Sequence, residues 1–239
     1  MHYFRTRLPE GAVVQRRGNL VASPPLLFLQ LASELDFHRL VLLGLQMCAH
    51  PPGRPFDAIT SKEALLSFIE RMNVQKAYRL RGRAKALRAL KYVENGSNSI
   101  MESLVFMMLT LPNAHGGFGL KGACFNHEIP LAPEAARRLG QRRCFVDLYY
   151  PVAKWALEYD SFQHHSSPAE QGKDALRASA LERRGVGVVH LNTIQLYDAK
   201  AFEEFAYNLA SRLGKRIRIR AKGFPAAHRA LRALLPTKS

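Results

Sequence analysis

The chain has 239 residues, 47% of them hydrophobic and 23% charged, which supports one large domain or two small ones with a core and excludes global disorder. Its 35 Lys and Arg against 19 Asp and Glu leave a net charge of +16, which selects a polyanion as partner, nucleic acid before an anionic membrane surface. Cys48, Cys124 and Cys144 are widely spaced and form no CxxC pair, which excludes a disulfide framework and a standard zinc finger.

Near the start, MHYFRTRLPEG lacks the basic-then-apolar order of a secretory signal. The apolar run Leu40–Cys48 is interrupted by Gly44 and Gln46, far short of the roughly 20 residues that span a bilayer. A cytoplasmic protein with no membrane partner is expected. Residues 1–96 are expected to form an N-terminal, mainly helical, basic module that binds DNA or regulates. Pro24-Pro25 and Pro51-Pro52-Gly53 bracket a leucine-rich stretch that predicts one or two buried helices. Ser61 then caps an amphipathic helix carrying Leu65, Phe68, Ile69 and Met72.

Residues 71–91 hold Arg71, Lys76, Arg79, Arg81, Arg83, Lys85, Arg88 and Lys91 without an acid among them. Such a run is either a basic helix laid on phosphate or a solvated helix face, and the lack of compensating glutamates gives the first reading its weight. Asn95-Gly96-Ser97-Asn98 reads as a linker and sets the boundary of a second domain, residues 97–222. Ser99 and Glu102 have capping-box spacing and open a helix that Pro112 ends. From Leu104 to Leu109 that helix is apolar on every side, so it should be buried, with Glu102 at the mouth of a core.

From Arg142 two β-rich runs flank Pro151-Val152-Ala153-Lys154, which predicts a hairpin in which Tyr150 pairs with Trp155. That register sets Asp147 opposite Glu158, with Asp160 on the same face by the two-residue period of a strand. Three carboxylates on one face repel one another unless a cation intervenes, and hard oxygen ligands favour magnesium or manganese. Alternatively, Asp147 pairs with an arginine such as Arg143. Ser167, Pro168 and Glu170 open a further helix, ending near Gly185, and Val186–Leu191 is a short strand. His164 and His165 follow the hairpin, as exposed polar residues or as a general acid/base or phosphate contact. Asp174 and Arg177 have the spacing of a helical ion pair.

The ordered residues Asp147, Glu158-Tyr159-Asp160-Ser161-Phe162-Gln163-His164-His165, Asp174-Ala175-Leu176-Arg177, Leu181 and Gly185-Val186-Gly187-Val188-Val189-His190-Leu191 resemble a known family. They are similar to the nuclease domains related to the very short patch repair endonucleases, within the restriction-endonuclease-like PD-(D/E)xK superfamily. The resemblance covers about residues 97–220. It implies an α/β fold with an αβββαβ core, in which the helix of Glu102 contributes an acid, Asp147 and Glu158 approach the metal, and His164 and the Asp174/Arg177 helix line the site. Asp160 stands where many members have lysine, and Ser161 where relatives commonly have glycine.

Ala199–Leu213 is a predicted helix, and Lys215-Arg216-Ile217-Arg218-Ile219-Arg220 alternates as a half-buried strand would, with residues 223–239 as a basic tail. Its cations either serve a phosphodiester substrate or defend an edge strand. The expectation is a metal-dependent DNA endonuclease or nickase. Asp147, Glu158, Asp160, Glu102 and His164 form its catalytic group, and Asp147, Glu158 and Glu102 hold Mg or Mn. Arg79, Arg81, Arg83, Lys85, Arg177, Arg218 and Arg220 contact double-stranded DNA, with RNA as an alternative substrate. The rival expectation is a non-catalytic DNA-binding regulator that keeps a nuclease-like fold.

Overall fold

The computed structural model describes residues 8, 10–74, 81–160 and 168–237. In chain order it contains β1 (Val13–Arg16), β2 (Asn19–Ala22), α1 (Pro24–Leu31), α2 (Phe37–Met47), α3 (Lys62–Val74), α4 (Arg83–Leu90) and α5 (Ile100–Thr110). There follow β3 (Cys124–Pro130), α6 (Pro133–Leu139), β4 (Arg143–Tyr150), β5 (Trp155–Asp160), α7 (Pro168–Glu182), β6 (Gly187–Asn192), α8 (Thr193–Tyr197), α9 (Ala199–Arg212) and α10 (Phe224–Arg232). The fold is α/β. No helix among the described residues is long and apolar enough to cross a membrane.

The leucine-rich stretch forms α1 and α2, capped by the side chains of Ser23 and Asp36 on the Leu26 and Arg39 amides. Ahead of them lies a hairpin that hydropathy did not foretell, because β1 and β2 are short and almost wholly exposed. Leu26, Phe28, Leu40, Leu45, Leu65, Phe68 and Leu90 share one core with Leu104, Met107 and Leu109 of α5. Residues 95–98 are stitched into that structure rather than free. The Asn95 side chain accepts from Lys62 N at 2.8 Å, Gly96 N donates to Cys48 O at 3.0 Å, and His50 N donates to Ser97 O at 2.9 Å.

The larger sheet has the order β3-β4-β5-β6, antiparallel until the last pair, which is parallel. A parallel pair needs a crossover, and α7 supplies it. Leu148, Tyr150, Leu157 and Leu191 face the core shared with α5 and α9. Cys144, Val146, Tyr149 and Ala156 face Leu181 at the end of α7. The sheet is thus covered on both sides, and the succession is helix, three strands, helix, strand, with α6 inserted between the first two strands.

Residues 215–220 form no strand. Ile217 is buried, but Ile219 is exposed and the sheet ends at β6, so the alternating pattern finds no neighbour to pair with. The C-terminal stretch expected as a tail contains α10 instead. Phe224 and Leu231 are buried, and His228 Nδ1 donates to Gly116 O at 2.7 Å.

Candidate functional site

The β4–β5 ladder pairs Tyr150 with Trp155, Tyr149 with Ala156 and Leu148 with Leu157, the register expected from the hairpin connection. It stops one residue short of Asp147 and Glu158. There the Asp147 carboxylate stands in for a ladder carbonyl, accepting from Tyr159 N at 2.9 Å. The β3–β4 ladder likewise skips Asn126, the residue that its register sets across from Asp147.

The cause is local. Asn126 has φ 44°, in the left-handed region that asparagine tolerates better than most residues. Side-chain alternation reverses there on both strands. On β3, Phe125 packs with the α5 core while Ile129 packs toward α7; on β4, Leu148 and Val146 divide in the same way. Asp147 therefore sits at a kink shared by two strands. Continuing the registers across it aligns Asn126, Asp147, Glu158 and His190 as one rung of the sheet, and the Glu158–His190 pairing is part of the β5–β6 ladder.

Glu102 reaches this rung from α5. Ser99 Oγ accepts from Glu102 N at 3.1 Å, as the capping spacing predicts. The Glu102 carboxylate, however, accepts from Asn98 N at 3.0 Å and from Asn126 Nδ2 at 3.1 Å. Asn126 Nδ2 also donates to Gly96 O at 2.7 Å, so one amide ties the carboxylate to the sheet and to residues 95–98.

Arg177 enters from α7. It donates to Glu158 Oε1 at 2.7 Å and also to Phe145 O. The expected helical pair with Asp174 does not form: Asp174 is exposed, and Arg177 turns to the sheet because a buried carboxylate there needs a cation. Arg143 pairs with Glu128 at 2.9 Å, not with Asp147. Asp160 is exposed and its Oδ2 lies 3.1 Å from His190 Nδ1. Lys154 lies in the hairpin turn, at the end of β5 away from Glu158.

Burial dominates the electrostatics. Glu102 and Glu158 are only 6% and 8% exposed, and Asp147 is half-buried. Desolvation, reinforced by Asp147, pushes Glu158 up to about 8, against the pull of Arg177. Desolvation also raises Asp147, with Asp160 adding to the rise and Tyr159 N–H, Arg177 and His190 opposing it. Glu102 is raised by burial and by Asp147, opposed by its amide donors. These carboxylates thus resist ionising together.

Among the described residues no three His, Cys, Asp or Glu side chains stand together closely enough to enclose a metal ion. The expected trio of Asp147, Glu158 and Glu102 is therefore not a ready-made cage. A pair is enough for magnesium, which keeps several waters and takes one or two carboxylates. Tyr159 N takes Asp147 Oδ2 and Arg177 takes Glu158 Oε1, so each carboxylate keeps a second oxygen, and the pair fits that requirement.

His164 and Arg79 lie outside the described residues. Arg83 and Lys85 turn inward, donating to Ile69 O at 3.5 Å and Leu35 O at 2.8 Å, whereas Arg81 is exposed. Arg218 and Arg220 are exposed in the irregular segment after α9. Two residues of the rung, Asn126 and His190, carried no role in the sequence reading. Nothing in the pattern marks Asn126, while His190 stands in the family-like run Gly185–Leu191 as a polar residue inside a short apolar strand. No family model, curated protein or solved structure matches the chain.

Proposed function

We propose that the protein is a metal-dependent DNA endonuclease or nickase with a restriction-endonuclease-like core. The observation that carries this reading is the convergence of Glu102, Asp147 and Glu158, all raised by burial, on one kinked rung of the sheet of a chain with net charge +16. Buried acids that repel one another are costly to keep and cluster where chemistry needs them. The succession α5, β3, β4, β5, α7, β6, with α6 inserted after β3 and a parallel final pair, supports the αβββαβ core that the family resemblance implies.

In this reading Asp147 and Glu158 hold magnesium or manganese, and Glu102 braces the kink through Asn126. A bound ion would supply Lewis-acid activation of the phosphodiester. Arg177 balances the Glu158 charge, and its guanidinium beside the two ligands would also suit a phosphate oxygen. Exposed Arg81, Arg218 and Arg220 add attraction for the backbone of the duplex. His164 and Asp160 are assigned to proton transfer and to support of the site.

A second reading, a DNA-binding regulator that does not cleave, is favoured by the Arg177–Glu158 ion pair, which already neutralises one proposed ligand. Supercoiled plasmid incubated with magnesium, manganese or chelator separates the two, with a matching RNA as the substrate control. Metal-dependent nicking by the wild type and none by Glu158→Gln or Asp147→Asn is expected. Salt-sensitive duplex binding with no nicking in any metal would establish the regulator instead.

A further inference from the structure

The β1–β2 hairpin projects from the start of α1. At its base Ser23 N donates to Ala12 O at 2.8 Å, with Ala12 and Ser23 both buried, and Ser23 itself caps the helix. The ribbon is therefore fixed to the core at its root. Its ladder pairs Val13 with Ala22, Val14 with Val21, Gln15 with Leu20 and Arg16 with Asn19. Beyond the root it is open on both faces: Gln15, Arg16, Arg17 and Asn19 are exposed, and Leu20 is 76% exposed.

The turn is Arg17-Gly18, with φ values of 47° and 82°, both left-handed as a two-residue hairpin turn requires. Asparagine or glycine suits the first of these positions. An arginine there bears a steric cost of roughly 1 kcal/mol with no local return. Neither Arg16 nor Arg17 takes part in any ion pair among the described residues. A strained, unpaired pair of cations at the tip of an anchored ribbon calls for an anionic partner.

We propose that this ribbon is a groove-reading element that enters the major groove of duplex DNA. The inference rests on the nucleic-acid reading given above and adds the surface that would read sequence. A two-stranded ribbon matches the width of the B-form major groove, about 12 Å, and its tip carries the side chains that groove distinguishes. Arg16 and Arg17 suit guanine O6 and N7, Gln15 and Asn19 suit adenine, and Leu20 suits the thymine methyl. The deep, narrow major groove of A-form RNA would not admit it. A lipid-inserting hairpin would place its apolar residues at the tip, whereas here the tip is cationic and Leu20 lies behind it.

The test measures full-length wild type, Arg17→Gly and the double variant Arg16→Ala/Arg17→Gly on one DNA duplex, the same sequence as RNA duplex, and anionic phospholipid vesicles. Each protein also selects from a random-sequence duplex library. Arg17→Gly relieves the left-handed strain, so its melting temperature should equal or exceed that of the wild type, which excludes misfolding as a cause. The double variant should bind DNA about tenfold more weakly at moderate salt, show a shallower log–log salt slope, and lose the sequence preference of the wild type. Unchanged affinity, slope and selection would overturn the ribbon, and so would an effect confined to vesicles or to RNA. If the wild type binds DNA through the ribbon but does not nick, cleavage fails and the ribbon stands. If it nicks and the variants bind alike, the ribbon fails and cleavage stands; a wild type with no affinity for DNA removes both.

Discussion

Arg177 and Glu158 are 19 residues apart in sequence and meet at 2.7 Å, the guanidinium of a helix closing over a carboxylate on the sheet beneath it. The pair places a cation among buried acids where the hairpin pattern by itself shows only repulsion. Replacing Arg177 with alanine leaves Glu158 buried beside Asp147 without its counter-charge. The expected loss is about 1–3 kcal/mol in a urea melt near pH 9, where Glu158 is ionised. Glu158→Gln in the Arg177→Ala background should recover most of that loss, because a neutral amide needs no cation. An additive double mutant would show that the two side chains do not interact.

Stability should fall as pH rises. Glu158 ionises at about 8 in the folded chain against an ordinary value of 4.5, so the folded state holds its proton more tightly than the unfolded state. By linkage, its contribution is fully present below about 4.5 and is lost as pH climbs toward 8, each pKa unit being worth about 1.4 kcal/mol. Asp147 and Glu102 are raised in the same direction. Chemical denaturation from pH 5 to 9 should show this decline in the wild type and a flatter profile for Glu158→Gln, which should be as stable as the wild type or more so at the alkaline end. A wild-type profile that rises across this window would contradict burial as the dominant influence.

Magnesium or manganese should raise the melting temperature of the wild type, since an ion that binds only the folded state stabilises it by mass action. At a concentration one hundred times its dissociation constant the gain is about 2.7 kcal/mol. Asp147→Asn and Glu158→Gln should each lose that response while remaining folded. Equal shifts in all three proteins would place the ion elsewhere.

Asn126 combines a left-handed backbone with an amide shared between Gly96 O and Glu102. Asn126→Gly keeps the backbone and loses two hydrogen bonds, for about 1–2 kcal/mol; Asn126→Ala adds the left-handed penalty, for about 2–4 kcal/mol. The order glycine above alanine, read from thermal melts, is the sensitive outcome. If alanine is the better tolerated of the two, the kink does not depend on the conformation of residue 126.

Gly187 faces the ring of Trp155, its partner in the β5–β6 ladder, and an added Cβ would come within 2.5 Å of that ring. Gly187→Ala should therefore cost about 1–3 kcal/mol by overpacking. Gly187→Ala combined with Trp155→Leu should be closer to the wild type than Gly187→Ala alone, as measured by the midpoint of denaturation.

Local pattern alone settles much of this protein. The four-residue connection Pro151–Lys154 and the two-residue period of its flanks define the Tyr150–Trp155 register, because the turn length of a hairpin constrains its pairing. The uninterrupted apolar run after Ser103 foretells the burial of α5, Ser99 foretells where α5 begins and Pro168 where α7 does; Ser167 lies outside the described residues. What lies beyond a strand's own period is decided by neighbours. The left-handed Asn126 reverses the alternation at Asp147, and no count along either strand reveals it. Arg177 chooses Glu158 over Asp174 because the sheet offers a desolvated charge and the helix surface only a solvated one. Residues 215–220 alternate as a strand and are not one, because a strand exists only through hydrogen bonds to a partner, and the sheet closes at β6 before reaching them.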